Sequence, residues 1–227
     1  MNQLSFDDLF QEQERYVRRI SYEETKPFLL AIHYARRMPC ITDAFGLFTR
    51  GGNLVGVVTY GIPASLPLCV GLAGKENKDR VKELNRLCLL PEYNGNNNAS
   101  FLVSHSLKLL DNGTFVVSYA DTAWGHQGYI YQATNFLYTG LSAKRNDTYQ
   151  PNGLHPRAYD KNNHSNLKQT RSQKHRYVYL VGDKRTKKIM RTQLKYKVCP
   201  YPKGDDTHYD INNPKPVIAT TIIQKED

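Results

Sequence analysis

The sequence lacks the features that would tie it to a metal, a membrane or an oxidising compartment. Its four cysteines, at 40, 69, 88 and 199, form no CxxC pair, and none has a histidine at zinc-ligand spacing. They are expected to be buried, reduced thiols behaving as small hydrophobes. His33, His105 and His126 show neither HExxH nor paired-carboxylate spacing, so no catalytic metal is expected. No apolar run approaches the roughly 18 residues needed to span a bilayer. The opening MNQLSFDDLFQEQERY carries acid early and has no apolar signal core, so the chain is expected to stay where it is made, away from membranes. There is one tryptophan, Trp124, and no helix-turn-helix, zinc-finger or RNP-like signature. The common routes to sequence-specific reading of nucleic acid are therefore absent.

What is present is segregated positive charge. Between Leu141 and Lys203 stand sixteen Lys or Arg and only three acids, Asp147, Asp160 and Asp183, a net +13. The whole chain carries +10, so everything outside that segment is net acidic by about 3. Such a block is a candidate footprint for nucleic acid, because each phosphate it neutralises releases counterions. Lys174, Arg176, Lys184, Arg185, Lys187 and Lys188 are its expected DNA contacts, with Trp124 as a platform for a base out of its stack. A solvated basic face is the plainer alternative. Tyr177, Tyr179, Tyr196 and Tyr201 are interleaved with these cations and could line a groove, although alternate strand packing accounts for Tyr177 and Tyr179 equally well.

Hydrophobic patterning predicts an α+β domain over residues 1–203. Residues 4–20 read as a helix with one buried stripe. FLLAIHYARRM reads as a second helix starting at Pro27 and ending at Pro39. Strands are expected at 44–50 and 54–62, joined through Gly51-Gly52-Asn53. A loop over 63–80 precedes a strand at 81–90, an Asn-rich loop, and a helix built on FLVSHSLKLL. Then come a strand at 115–121, a helix within 125–136 and a strand at 137–140. The polar stretch 142–176 reads as a surface insertion, 176–182 as strand, and KRTKKIMRTQLKYKV as a short helix followed by a strand. Residues 204–227 read as a polar tail that could be loosely ordered.

Strand–loop–helix units direct attention to the carboxyl ends of their strands. The first unit runs through Leu84-Asn85-Arg86 to Asn96, Asn97, Asn98 and Ser100, where helix N–H groups and amide side chains could hold a phosphate or carboxylate. An Asn-rich turn with an ordinary N-cap explains the same residues. The second ends at Asp121, suited to proton acceptance or to reading a base edge, or simply to starting a turn. It continues through Gly125 and Gly128 to Tyr131.

These units, with Y-x-x-x-N-F and a closing strand, resemble the core of the GNAT acyltransferase superfamily. ELNRLCL, the NNNAS loop, SYAD, GHQGYIYQATNFLYTG and YKVCPYPK resemble, more specifically, the Mom-type DNA-modification proteins of Mu-like phages. The likeness runs from about Phe28 to Lys203 and is densest from Ser118 to Gly140. It implies a GNAT-like mixed, largely antiparallel sheet flanked by helices, with a basic C-terminal extension. It implies modification of adenine in double-stranded DNA to N6-carbamoylmethyladenine, protection from restriction, and action in the cytoplasm of an infected or lysogenic bacterial host. Carried onto this chain, the functional positions are Arg86, Ser100, Asp121 and Tyr131, with Tyr131 as acid to the leaving group. The Asn-rich loop departs from the superfamily's Q-x-x-G-x-G/A pattern, which argues against acetyl-CoA as donor and leaves glycyl-tRNA as the other candidate. An ordinary acetyl-CoA-dependent N-acetyltransferase and a non-enzymatic DNA-binding anti-restriction protein are the alternatives.

Overall fold

A computed structural model describes residues 15–149, 167–204 and 222–224. Its chain order opens with β1 (Arg15–Arg19), where a helix is predicted. Val17 and Ile20 fit a three-residue helical spacing, but Arg15 to Arg19 pair in antiparallel register with Thr49 to Phe45 of the next strand. Sequence periodicity over five residues could not reveal that long-range ladder. The earlier part of the predicted helix lies outside the described residues.

Helix α1 (Tyr22–Pro27) begins five residues before the predicted start, because Ser21 and Glu24 form a reciprocal capping box. It runs through Pro27 into a π-helical turn, Phe28–Ile32, and the chain turns extended at His33. Strands β2 (Asp43–Thr49) and β3 (Leu54–Gly61) form the expected hairpin. Helix α2 (Leu66–Ala73) occupies what reads as loop. Its residues are apolar all round, so no amphipathic period marks it; the usable signal was Ser65 as N-cap with a Pro in the first turn.

A 3₁₀ turn, Lys75–Arg80, leads into β4 (Val81–Leu89), then the Asn-rich loop and α3 (Asn98–Lys108). Strand β5 (Phe115–Asp121) matches its predicted span, and α4 (Tyr129–Ala133) is a single turn and a half. It is shorter than expected because Gly125 and Gly128 precede it in the left-handed region and Asn135, at φ 61°, ends it. Strands β6 (Leu137–Leu141), β7 (Arg145–Thr148), β8 (Leu167–Arg171) and β9 (Lys174–Leu180) follow. The predicted surface insertion therefore contributes strands, and its remainder lies outside the described residues. Helix α5 (Lys184–Gln193) is the expected basic helix, but an irregular segment follows it instead of a strand. Strand β10 (Ile222–Gln224) comes from the predicted tail and pairs with β8.

Among the described residues the main sheet has the order β1-β2-β3-β4-β5-β9-β6, and β7, β8 and β10 form a second, three-stranded sheet. In the main sheet only the β4–β5 pairing is parallel. This is the α+β, mixed and largely antiparallel arrangement that the GNAT resemblance implies.

One face of the sheet packs against α3 and α4 through Phe45, Tyr60, Leu84, Leu102, Leu107 and Phe136. Full burial of each such side chain contributes roughly 1.5–3 kcal/mol. The other face packs against the π-helical turn that follows α1, through Phe28, Leu29 and Val57, at one end. At the other end it packs against α2 and α5 through Leu72, Phe115 and Met190. No described helix is long and apolar enough to cross a membrane.

Candidate active site at the strand split

The parallel pair is short. Val81 to Glu83 match Phe115 to Val117, and Ser118 Oγ donates to the Leu84 carbonyl at 2.9 Å. Beyond that point β4 stays with β3 and β5 stays with β9, so the two strands part. A cavity of about 1000 Å³ occupies the split, at the upper end of the range for small-molecule sites. Its lining comes from both faces of the sheet. Asn94 to Ser100 and Gly128 to Tyr131 line it from the α3–α4 face, and His33, Tyr34 and Pro67 from the α1–α2 face.

A bulge decides which face Arg86 joins. Thr59 pairs with Arg86 but Tyr60 pairs with Leu84, so Asn85 is an extra residue in β4. Its side chain accepts from Thr59 Oγ1 at 2.6 Å and donates to the Cys40 carbonyl at 2.8 Å. In an unbroken strand residues 84 and 86 would share a face. Here Leu84 is buried toward α3, while Arg86 joins Cys88 on the α1 side, where its charge acts on His33 and Tyr34. Arg86 Nη1 donates to the Asn85 carbonyl at 2.6 Å, and Nε is buried with no hydrogen-bond partner among the described residues. A buried unpaired donor is costly, and native structures keep few of them.

Asp121 is the opposite case. Oδ1 accepts from Ser172 Oγ at 2.6 Å and from the Ala123 N–H at 3.0 Å, and Oδ2 lies 2.8 Å from Lys174 Nζ. Burial raises its proton affinity, but Lys174, Ser172 and Ala123 together hold the carboxyl below its ordinary range. It is an ionised, well-partnered anchor, poorly suited to accept a further proton. Lys174 and Ser172 line the cavity, and Asp121 contacts both.

The other predicted residues divide in the same way. Tyr131 lines the cavity from α4, its ring 5.2 Å from Tyr177 and 5.3 Å from Phe136. Gly128 precedes that helix at φ +83°, and a side chain there would meet the Tyr177 ring. Ser100 lines the cavity, with its hydroxyl donating to the Asn97 carbonyl at 3.0 Å. Asn96 and Asn97, at φ 47° and 58°, turn the chain into α3, and Asn97 makes no side-chain cap bond. Asn98 is spent on structure: its amide accepts from Arg15 and donates to the Tyr93 carbonyl at 3.0 Å.

Trp124 is packed against Tyr34 at 4.9 Å, and Tyr34 in turn stacks on His33 at 4.4 Å. Arg176 lies 3.5 Å over the Tyr196 ring and donates to Thr139, bracing the cavity. Lys187 donates to Tyr179 Oη at 3.0 Å, whereas Lys184, Arg185 and Lys188 are exposed on α5, outside the cavity. Sequence reasoning missed His33 and Tyr34 as cavity residues. No spacing marks them; they matter because the extended segment after the π-helical turn meets Arg86 in space.

The chain matches the model of the Mom protein family over residues 14–203. It is 26% identical over 212 residues to the methylcarbamoylase Mom of Escherichia phage Mu, covering 84% of this chain and 85% of that protein. Solved structures similar to it include the ribosomal-protein-S18-alanine N-acetyltransferase of Escherichia coli. That likeness has 9% identity and a TM-score of 0.45, over 75% of this chain and 96% of that one. Another is Arabidopsis thaliana NAA60 in complex with acetyl-CoA, at 14% identity and a TM-score of 0.47, over 74% of this chain and all of that one. The family match takes in every residue that lines the strand split, and the chain belongs to the Mom protein family.

Proposed function

We propose that this chain modifies adenine in DNA, transferring an acyl-derived group to the exocyclic amine to give N6-carbamoylmethyladenine or a closely related adduct. The modification would shield phage DNA from restriction. The observation that carries this is the cavity through the sheet, whose lining includes Arg86, Arg145, Arg171, Lys174 and Arg176 against one acid, Glu83. A cavity lined by residues from both faces of the sheet has room for a donor against one side and an acceptor against the other. The methylcarbamoylase activity named for the phage Mu relative supports the same chemistry.

The α3 side suits the donor. Ala99 and Ser100 line the cavity at the start of an eleven-residue helix whose cap residue, Asn97, makes no side-chain cap bond. Helix N–H groups and partial positive charge favour a phosphate there. Both glycyl-tRNA and acetyl-CoA carry phosphate, and we favour the glycyl ester on chemical grounds. Attack by the adenine amine on that ester forms an N6 amide and releases the tRNA hydroxyl, with Tyr131 supplying the proton to the departing oxygen. The free glycyl amine then adds to C6, closing a five-membered spiro ring. Expulsion of the original nitrogen as carboxamide completes an isomerisation to the carbamoylmethyl product. Acid–base assistance of this kind is worth ~10²–10⁴ in rate. The target base has to leave the duplex first, at a cost of a few kcal/mol. Lys184, Arg185 and Lys188 on the exposed side of α5 would contact the backbone phosphates.

The test is mass spectrometry of nucleosides from DNA of cells expressing the protein, fed isotope-labelled glycine or labelled acetate. An adenine adduct carrying the glycine label, lost in Tyr131→Phe, is expected. An adduct carrying only the acetate label would transfer the donor role to acetyl-CoA. Unmodified nucleosides from well-folded protein would overturn the proposal.

A further inference from the structure

If the donor occupies the α3 side, the side built by α1 and β4 is left for the base. Three features there point to one kind of ligand. First, Arg86 keeps its Nε–H buried and unpaired. Second, His33 is buried, and its Nδ1 accepts the Ala35 N–H at 3.0 Å. That bond assigns the ring proton to Nε2, so the second ring nitrogen is a hydrogen-bond donor. Burial, with Arg86 and Arg37 nearby, keeps the ring neutral, its pKa held down to about 3. Third, Tyr34 stacks on His33 and packs against Trp124, which fixes the imidazole in a rigid aromatic stack. His33, Tyr34 and Arg86 all line the cavity.

We propose that His33 and Arg86 form a two-donor edge reader for the base being modified, engaging the ring nitrogens that flank its exocyclic amine. This rests on the adenine-modification function proposed above. Adenine offers acceptors at N1 and N7 on either side of N6, and donors aimed at them would fix the amine between the two faces of the sheet. A neutral imidazole suits this task better than a charged one. It adds a donor beside the guanidinium without a second cation to repel it. Arg86 is then a recognition residue whose unpaired donor is satisfied only when the base is bound, and a base lacking the acceptor leaves that donor unpaired again.

Binding can be measured without any group transfer, because Trp124 is the only tryptophan and touches Tyr34. The probe is a short single-stranded DNA with one adenine, compared by Trp fluorescence titration with the same strand carrying 1-deazaadenine, 7-deazaadenine or an abasic site. Both deaza strands are expected to bind about tenfold more weakly, each through the loss of one good hydrogen bond. His33→Phe should remove the discrimination against one of them while His33→Gln, which keeps an N–H donor, retains it. Equal binding of the adenine and both deaza strands by the wild-type protein would overturn the proposal, whether or not the variants fold. So would a loss confined to the abasic strand, which would leave stacking alone. Deaza discrimination without any adduct in cellular DNA would sink the modification function and keep the edge reader; an adduct without discrimination would do the reverse.

Discussion

The two banks of the strand split use their polar groups in opposite ways. On the β5–β9 bank they satisfy one another: Asp121 holds Ser172, Lys174 and the Ala123 N–H, and Arg176 is clamped by Thr139 and Tyr196. On the β4 bank Arg86 keeps a buried donor unpaired, beside a histidine with one ring nitrogen committed to the backbone. A saturated cluster supplies rigidity, and an unsaturated one supplies affinity for something not yet bound. Perturbed proton affinity does not separate the two. Asp43, buried but held low by Lys82 and Arg19, is shifted in the same direction as Asp121 yet does not line the cavity.

The sharpest way to break that contrast is to remove one group from each bank and measure activity and stability together. Arg86→Met should lower adduct formation by ~10²–10³, as for the loss of one preorganised donor. Its unfolding free energy should change by less than about 1 kcal/mol, since loss of the Nη1 bond to the Asn85 carbonyl is offset by removal of the buried, unpaired Nε–H. A large loss of stability would show Arg86 to be structural and erase the distinction. Asp121→Ala should do the reverse first, destabilising by about 2 kcal/mol in denaturant unfolding. That is less than a fully buried pair would give, because Lys174 is a third exposed, at 32%. Activity would then fall through disorder of the bank.

A third comparison sets the cavity against α5. Lys184→Glu with Lys188→Glu should weaken DNA binding about tenfold at low salt and flatten its salt dependence, leaving adduct chemistry at saturating DNA unchanged. A last comparison is in pH. The folded pKa of His33 lies near 3 and its ordinary value near 6.5, so its contribution to stability is complete above 6.5 and is lost as pH falls toward 3. The slope is at most about 1.4 kcal/mol per pH unit. Thermal unfolding of wild type should therefore steepen below pH 6.5 relative to His33→Gln, and identical profiles would place the ring in water.

The strands that form the split were legible because their periodicity is local: 44–50, 54–62, 81–90 and 115–121 each pack by alternation or by a continuous apolar run. Arg86, Ser100 and Tyr131 are carried over from the Mom resemblance, and all three line the cavity. What escaped were features decided by partners distant in sequence. Val17 and Ile20 suit a helix until Phe45 to Thr49 claim the segment as an edge strand. Asp121 looks like a base until Ser172 and Lys174, about fifty residues on, are brought to it. The same holds for Asn98, which reads as a ligand in a loop and is instead the tie to Arg15.

The extra residue in β4 has one more consequence. Up and down along a strand is a matter of phase, and Asn85 shifts that phase by one step between core and site. Deleting it would leave Leu84 and Arg86 adjacent and on opposite faces, as they already are, so every residue from Arg86 onward would keep its side of the sheet. What the deletion removes is the Asn85 side chain, with its bonds to Thr59 and to the Cys40 carbonyl. A one-residue insertion between Arg86 and Leu89 would instead exchange interior for exterior beyond it. This strand should therefore tolerate loss of its bulge far better than any further residue.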